Sequence, residues 1–181
     1  MSKKQITLFD GTIQTWEIKK HSSLVQMGNI TTLRERKTLN ALIYIAKDQL
    51  KRQPEERRFT CDLWQIKRLT GWDDSNTVEL KQALSNLVDT KIEYNVLNKD
   101  KEIRSVFAVL AEARIEVKGS GKPTTVTFEF PSTVLGAIKH PRIYVKLNLL
   151  MLRGFTSKHS LALYEFLADY LKLKSFRCET D

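Results

Sequence analysis

Residues 156–172 read TSKHSLALYEFLADYLK, and no other stretch of the chain limits the fold so tightly. Leu161, Ala162, Leu163, Tyr164, Phe166, Leu167, Ala168, Tyr170 and Leu171 point in nearly every direction around a helix, and a 3.6-residue period leaves only Lys158, Glu165, Asp169 and Lys172 as a solvent stripe. A helix so apolar must be covered on most sides. Its own domain, a second domain or a second copy of the chain has to supply the cover.

The chain has the means to do so. With 181 residues and 41% hydrophobic content it is long enough to bury a core and short enough to be one domain with appendages. Its net charge of +9 favours a polyanionic partner, either nucleic acid or an anionic membrane surface. No apolar run approaches the roughly 20 residues of a membrane span, and the opening MSKKQITLFDGTIQTW lacks the apolar core of a secretory signal. A cytoplasmic protein without membrane attachment is expected. Cys61 and Cys178 stand far apart with no CxxC spacing, so neither a zinc site nor a disulfide is indicated. Cys61 reads as a small buried hydrophobe and Cys178 as a tail thiol.

Residues 1–24 are polar with scattered apolar positions and read as an N-terminal arm. Thr32 and Glu35 then stand at capping-box spacing before a stripe of Leu39, Leu42, Ile43, Ala46 and Leu50, which predicts a long helix ending near Pro54. RFTC predicts a short strand. Asp62 with Gln65, and Asn76 with Glu79, open two further helices, the first stopped by Gly71. KIEYNVLN alternates as a strand, NKDKE turns, and IRSVFAVLAEARIEVKG returns as a long strand expected to bend near Val109 to Ala113. TTVTFEF is another strand, followed by three predicted helices, STVLGAIK, KLNLLMLRG and the segment quoted first. This order predicts an α+β fold: a winged-helix domain, with a helix-turn-helix at its centre, a hairpin wing behind it and additional C-terminal helices.

Catalytic constellations are sparse. His21, His140 and His159 are isolated, without metal-ligand spacing, and the GSG at 119–121 lies between strands rather than before a helix that would cradle phosphate. Glu55 with Glu56, and Asp73 with Asp74, are neighbours in charged turns and read as solvated or capping carboxylates. No metal, no cofactor and no enzymatic activity are expected.

Taken together, LRERKTLNALIYIA at 33–46, LKQALSNLVDTKIEY at 80–94, VTFEFPSTVLGAI at 126–138 and FTSKHSLALYEFLADYLK at 155–172 resemble the amino-terminal domain of the Rep initiator proteins of theta-replicating bacterial plasmids. The most specific element is S-K-h-x-x-x-L-Y-E, here Ser157, Lys158, Leu163, Tyr164 and Glu165. In that family two winged-helix domains follow one another; the second reads repeated origin sequences, the iterons, while the first dimerises and adds contacts to the DNA backbone. The resemblance therefore implies a first winged-helix domain over residues 25–173. The tail at 174–181 is too short for the second domain, which is expected to be absent. It also implies double-stranded plasmid-origin DNA, a second copy of the chain and host replication proteins as partners.

The residues themselves suit phosphates better than bases. The second helix of the central pair offers Lys81, Gln82, Ser85 and Asn86 but also Glu79 and Asp89, whose carboxylates oppose entry into a groove. Basic clusters lie elsewhere: Arg34, Arg36 and Lys37; Lys51, Arg52, Arg57 and Arg58; Lys67 and Arg68; Lys139, Arg142 and Lys146. With Lys81, these are the candidates for backbone contact. For dimerisation, a sheet edge within 104–117 is favoured. The competing readings are a protein-pairing or docking module without DNA affinity, and a winged-helix transcriptional regulator reading bases through residues 76–89.

Overall fold

The computed structural model describes residues 16–21, 32–72, 77–98, 101–117, 124–140 and 144–170. Their elements run β1 (Glu17–His21), α1 (Leu33–Arg52), β2 (Arg58–Asp62), α2 (Leu63–Thr70), α3 (Thr77–Asp89), β3 (Lys91–Asn98), β4 (Lys101–Ala108), β5 (Glu112–Glu116), β6 (Thr125–Glu129), α4 (Ser132–Lys139), β7 (Tyr144–Asn148), α5 (Leu149–Arg153) and α6 (Lys158–Tyr170). The strands make three antiparallel groups: β1 with β7, β2-β6-β5, and the hairpin β3-β4. Helices α2 and α3 with the hairpin behind them form the winged helix.

Local signals explain most boundaries. Glu35 N–H donates to Thr32 Oγ1 at 3.1 Å and Thr32 N–H to Glu35 Oε2 at 3.3 Å, the reciprocal cap that starts α1. Asp62 N–H donates to Gln65 Oε1 as α2 begins. Gly71 ends α2 with φ at 78°, a left-handed conformation that glycine adopts without strain, and its N–H bonds Lys67 O. Asn76, the predicted cap of α3, lies outside the described residues.

The core sits between the three-stranded sheet and the helices. Alternation along β2 and β6 turns Phe59, Cys61, Val126 and Phe128 inward, and with Phe130 the rings pack tilted or edge-to-face at centroid distances of 5.6–6.2 Å. Leu39, Leu42 and Ile43 of α1, Ile66 of α2, Leu80, Leu84 and Leu87 of α3, and Val134 and Ile138 of α4 belong to the same core. The return strand bends where the alternation shifts. Val109 and Leu110 are buried, and their N–H groups bond Thr90 O and Leu87 O, so the chain leaves the hairpin at Ala108 and joins the other sheet as β5.

Three expectations are corrected. KLNLLMLRG is not a helix throughout. Val145 and Leu147 alternate inward from β7, which takes the first three residues, and Leu149–Arg153 form the short α5, capped by Asn148 Oδ1 on Leu150 N–H at 2.9 Å. Part of the segment read as an arm is strand β1, whose Ile18 faces Leu147 across the ribbon. Just before it, Trp16 is buried, between the guanidinium groups of Arg68 and Arg153 at 5.9 and 5.8 Å from its ring.

The third correction concerns Glu165 of α6, a helix that within this single chain keeps an open apolar side. Only Leu161 and Glu165 are buried, while Leu163 and Leu167 are 56% and 44% exposed, with Met151 of α5 also exposed. Glu165, expected on the solvent stripe, is the most buried residue of the helix along with Leu161. No helix among the described residues is long and apolar enough to cross a membrane.

Candidate nucleic-acid interface

The motif helix is held by a buried polar junction. Glu165 Oε2 accepts from Lys20 Nζ and Arg36 Nη1, both at 3.1 Å, and Oε1 accepts from Asn40 Nδ2 at 2.7 Å. One carboxylate thus ties β1, α1 and α6 together, away from water. A buried ion is tolerated only when paired and hydrogen-bonded, which is what the three donors provide. Burial, and to a lesser degree Arg36, pulls the Lys20 ammonium below its usual pKa against the opposing pull of Glu165. Of the other motif residues, Ser157 Oγ accepts from His159 N–H at the start of α6, Tyr164 stacks on Phe155 at 5.3 Å, and Lys158 and Leu163 are exposed.

Three phosphate-contact candidates are corrected by burial. Arg36 is committed to Glu165. Lys37 Nζ donates to Arg153 O at 2.8 Å, closing the end of α5. Lys67 is also buried. Their charges, chosen from sequence clusters, belong to the interior. Arg142 lies outside the described residues.

The remaining candidates divide between two places. Arg34, paired with Glu79, and Lys81 lie where α1 begins against α3. Lys51 and Arg52 are about 26 Å away by helical rise, at the other end of α1. Arg57 and Arg58 follow there, and Lys139 reaches the same end of the molecule through Glu55 at 3.9 Å. Arg68 is half-buried beside Trp16 and Trp64.

At the α1 C-terminus, tertiary structure gathers a wider set. Lys19 and Lys146 are register partners on the exposed face of the β1-β7 ribbon, and the Lys19 ammonium sits 4.6 Å above the Tyr144 ring. Lys47 lies close enough to Lys19 and Lys51 that both, after burial, lower its pKa. Lys47, Lys51 and Lys139 line one groove, and Arg57 with Lys139 lines its neighbour. The result is a band of six cations, Lys146, Lys19, Lys47, Lys51, Lys139 and Arg57. Sequence reasoning missed Lys19 and Lys47. Lys19 falls in the segment read as an arm, and Lys47 lies on the polar side of the first helix outside the basic clusters; only pairing of β1 with β7 puts them together.

The helix-turn-helix surface is poorer in charge. On α3, Lys81, Gln82 and Ser85 are exposed, and Lys81 is the helix's only cation. Gln82 Nε2 donates to Asn86 Oδ1, and Asn86 Nδ2 to Glu35 Oε1, both at 2.7 Å, so two potential base readers are engaged within the protein. Among the described residues no group of three His, Cys, Asp or Glu side chains could hold a metal ion. Cys61 is a buried thiol pushed up to about 12 by desolvation and does not act as a nucleophile at neutral pH.

Solved structures share this fold. Two structures of domains 2 and 3 of RctB superpose with TM-scores of 0.56 and 0.55, at 15% and 14% identity, covering 80% and 82% of this chain. The chain spans 57% of the length of each. The WH1 domain of MSBI1.176, a replication protein isolated from a multiple sclerosis patient, matches at 14% identity and TM-score 0.41, over 70% of this chain and 88% of its own. No curated protein matches the sequence. The sequence itself matches the family described as Initiator Replication protein, WH1, over residues 17–168. That span runs from β1, which donates Lys20 to the buried junction, to the last turns of α6, and the chain therefore belongs to the initiator replication protein family, as a winged-helix WH1 domain.

Proposed function

We propose that this chain serves the initiation of plasmid replication by pairing with a second copy of itself and by holding duplex DNA through its phosphates. The observation that carries the DNA reading is the cation band from Lys146 and Lys19 to Lys139 and Arg57. It is spread over β1, β7, α1 and α4, with its charges at the surface, and α3 has only Lys81 for reading bases. Such a surface positions a protein on DNA without specifying sequence, which leaves recognition of iterons to a second winged-helix domain. Arg34, Lys51, Arg52 and Arg58 each sit within reach of a carboxylate and contribute less than their number suggests.

Pairing of two copies is assigned to the edge of the sheet within 104–117. β5 is an outer strand of the β2-β6-β5 sheet, Val117 just past its end is exposed, and so is Val106 on β4 of the hairpin. The test of the DNA reading is fluorescence anisotropy of a labelled, unrelated duplex titrated at low and physiological salt. Micromolar binding whose logarithm falls linearly with log salt, by roughly 0.9 per phosphate neutralised, is the expected result. Absence of binding at low salt replaces this reading with that of a protein-pairing and docking module, which the many intramolecular ion pairs favour.

A further inference from the structure

The cation band has an apolar floor. Leu50, Pro54 and Ile138 line a groove of about 360 Å3 between the end of α1 and the end of α4, with Lys47, Lys51 and Lys139 around it. Past Lys139 and Glu55, a second groove of about 220 Å3 follows the other flank of α4 toward Arg57 and Ser132. Gly136 opens this second groove, since a Cβ added there meets nothing within 4 Å.

We propose that the first groove docks an acidic peptide of another protein, anchored by one apolar side chain, with the peptide continuing across Lys139 into the second. A duplex offers phosphates on a convex surface and has no side chain to place in a hollow, so DNA uses the lysine rim and leaves the floor empty. A peptide with a leucine or phenylalanine between carboxylates uses both. The three lysine stems add apolar wall while their ammonium groups stay at the rim. Lys47 already suffers from its neighbours Lys19 and Lys51, and an incoming carboxylate relieves that repulsion. Glu55, 97% exposed and 3.9 Å from Lys139, is a loose partner that a peptide carboxylate displaces.

Neither terminal stretch of residues 1–181 has the acidic character of this ligand. Residues 1–15 carry Lys3, Lys4 and Asp10, and residues 171–181 carry three cations against Glu179 and Asp181. The acidic pair Asp73 and Asp74 follows Trp72, whose ring is packed against the core and cannot also serve as an anchor. An acidic segment of a different protein fits better.

The probe is a short synthetic peptide with one Leu among Asp and Glu residues, labelled and titrated with the whole chain at physiological salt. Micromolar binding is expected, weakened at least about tenfold when the peptide's Leu becomes Ser, the loss of one buried aliphatic side chain. Lys51→Glu with Lys139→Glu should weaken it comparably. Gly136→Gln should do so by filling the second groove, and it is safe for folding because a helix favours glutamine over glycine. Circular dichroism confirms that each variant is folded. Equal binding of the Leu and Ser peptides overturns the proposal and leaves DNA as the band's polyanion; so does no binding of the Leu peptide, or binding that all the folded variants retain.

Discussion

Helix α1 uses the same kinds of residue in opposite ways at its two ends. Near its start, Arg36 and Asn40 are buried around Glu165, and Lys37 is buried against the end of α5. Near its end, Lys51 and Arg52 are more than 70% exposed and share only Asp48. The first half lies under α3, α5, α6 and β1; at the other end Gln49 still bonds the backbone of β2, and only the last two residues, Lys51 and Arg52, are exposed. Burial, and not residue type, separates a charge that holds the fold from one available to a partner. In the dry junction a missing partner leaves an uncompensated ion, whereas in the wet band water replaces it at little cost.

The largest expected effect comes from emptying the junction. Glu165→Ala leaves Lys20 and Arg36 buried without a counter-ion and should cost about 3–5 kcal/mol of stability, read from urea unfolding. Combining it with Lys20→Met should cost less than the sum of the single changes; strict additivity would show that the two side chains do not interact. Asn40→Ala removes one donor to Glu165 and should cost about 1–3 kcal/mol by the same measurement.

The band should respond in binding rather than stability. Lys19→Gln with Lys146→Gln is expected to change stability by less than about 0.5 kcal/mol per site. It should lower the slope of log affinity for duplex DNA against log salt by roughly 0.9 for each lysine that contacts phosphate. A large loss of stability here would erase the distinction between the two regions.

Two smaller effects sharpen it. Lys47 titrates below the usual lysine value because of burial and then of Lys19 and Lys51. Between that lowered value and the unfolded 10.5, the unfolded chain holds more protons, so raising the pH through this window favours the folded state. Lys19→Gln should move the Lys47 titration, followed by side-chain NMR, back upward. At the bottom of the scale, Asp48→Asn breaks the pairs with Lys51 and Arg52 and should cost no more than about 1 kcal/mol in thermal unfolding.

Much of the fold was legible because local chemistry sets it. The cap at Thr32, the stop at Gly71, the alternation along RFTC and TTVTFEF and the bend after Ala108 each follow from residues near in sequence. What escaped depended on distant partners. Glu17–His21 carries a single apolar residue on an expected polar arm, and it becomes a strand because β7 lies beside it. KLNLLMLRG has the apolar density of a helix, yet its first three residues, Lys146 to Asn148, belong to that same partner strand. The site was less legible than the fold. A lysine's charge can be read from sequence, but its exposure cannot, and so Arg36, Lys37 and Lys67 were placed at the surface while Lys19 and Lys47 were passed over.

By itself the sequence determined the order of the elements from α1 to α4, the excess of positive charge and, through residues 17–168, the family. These depend on side-chain type and spacing, which a linear string records in full. Only the tertiary structure decided which charges are dry and which are wet. Glu165 reads as one polar position among others along α6, and becomes the centre of the molecule only because β1 brings Lys20 to it and α1 brings Arg36 and Asn40. Desolvation depends on what packs above a residue, and those atoms come from 125 to 145 positions away in the chain.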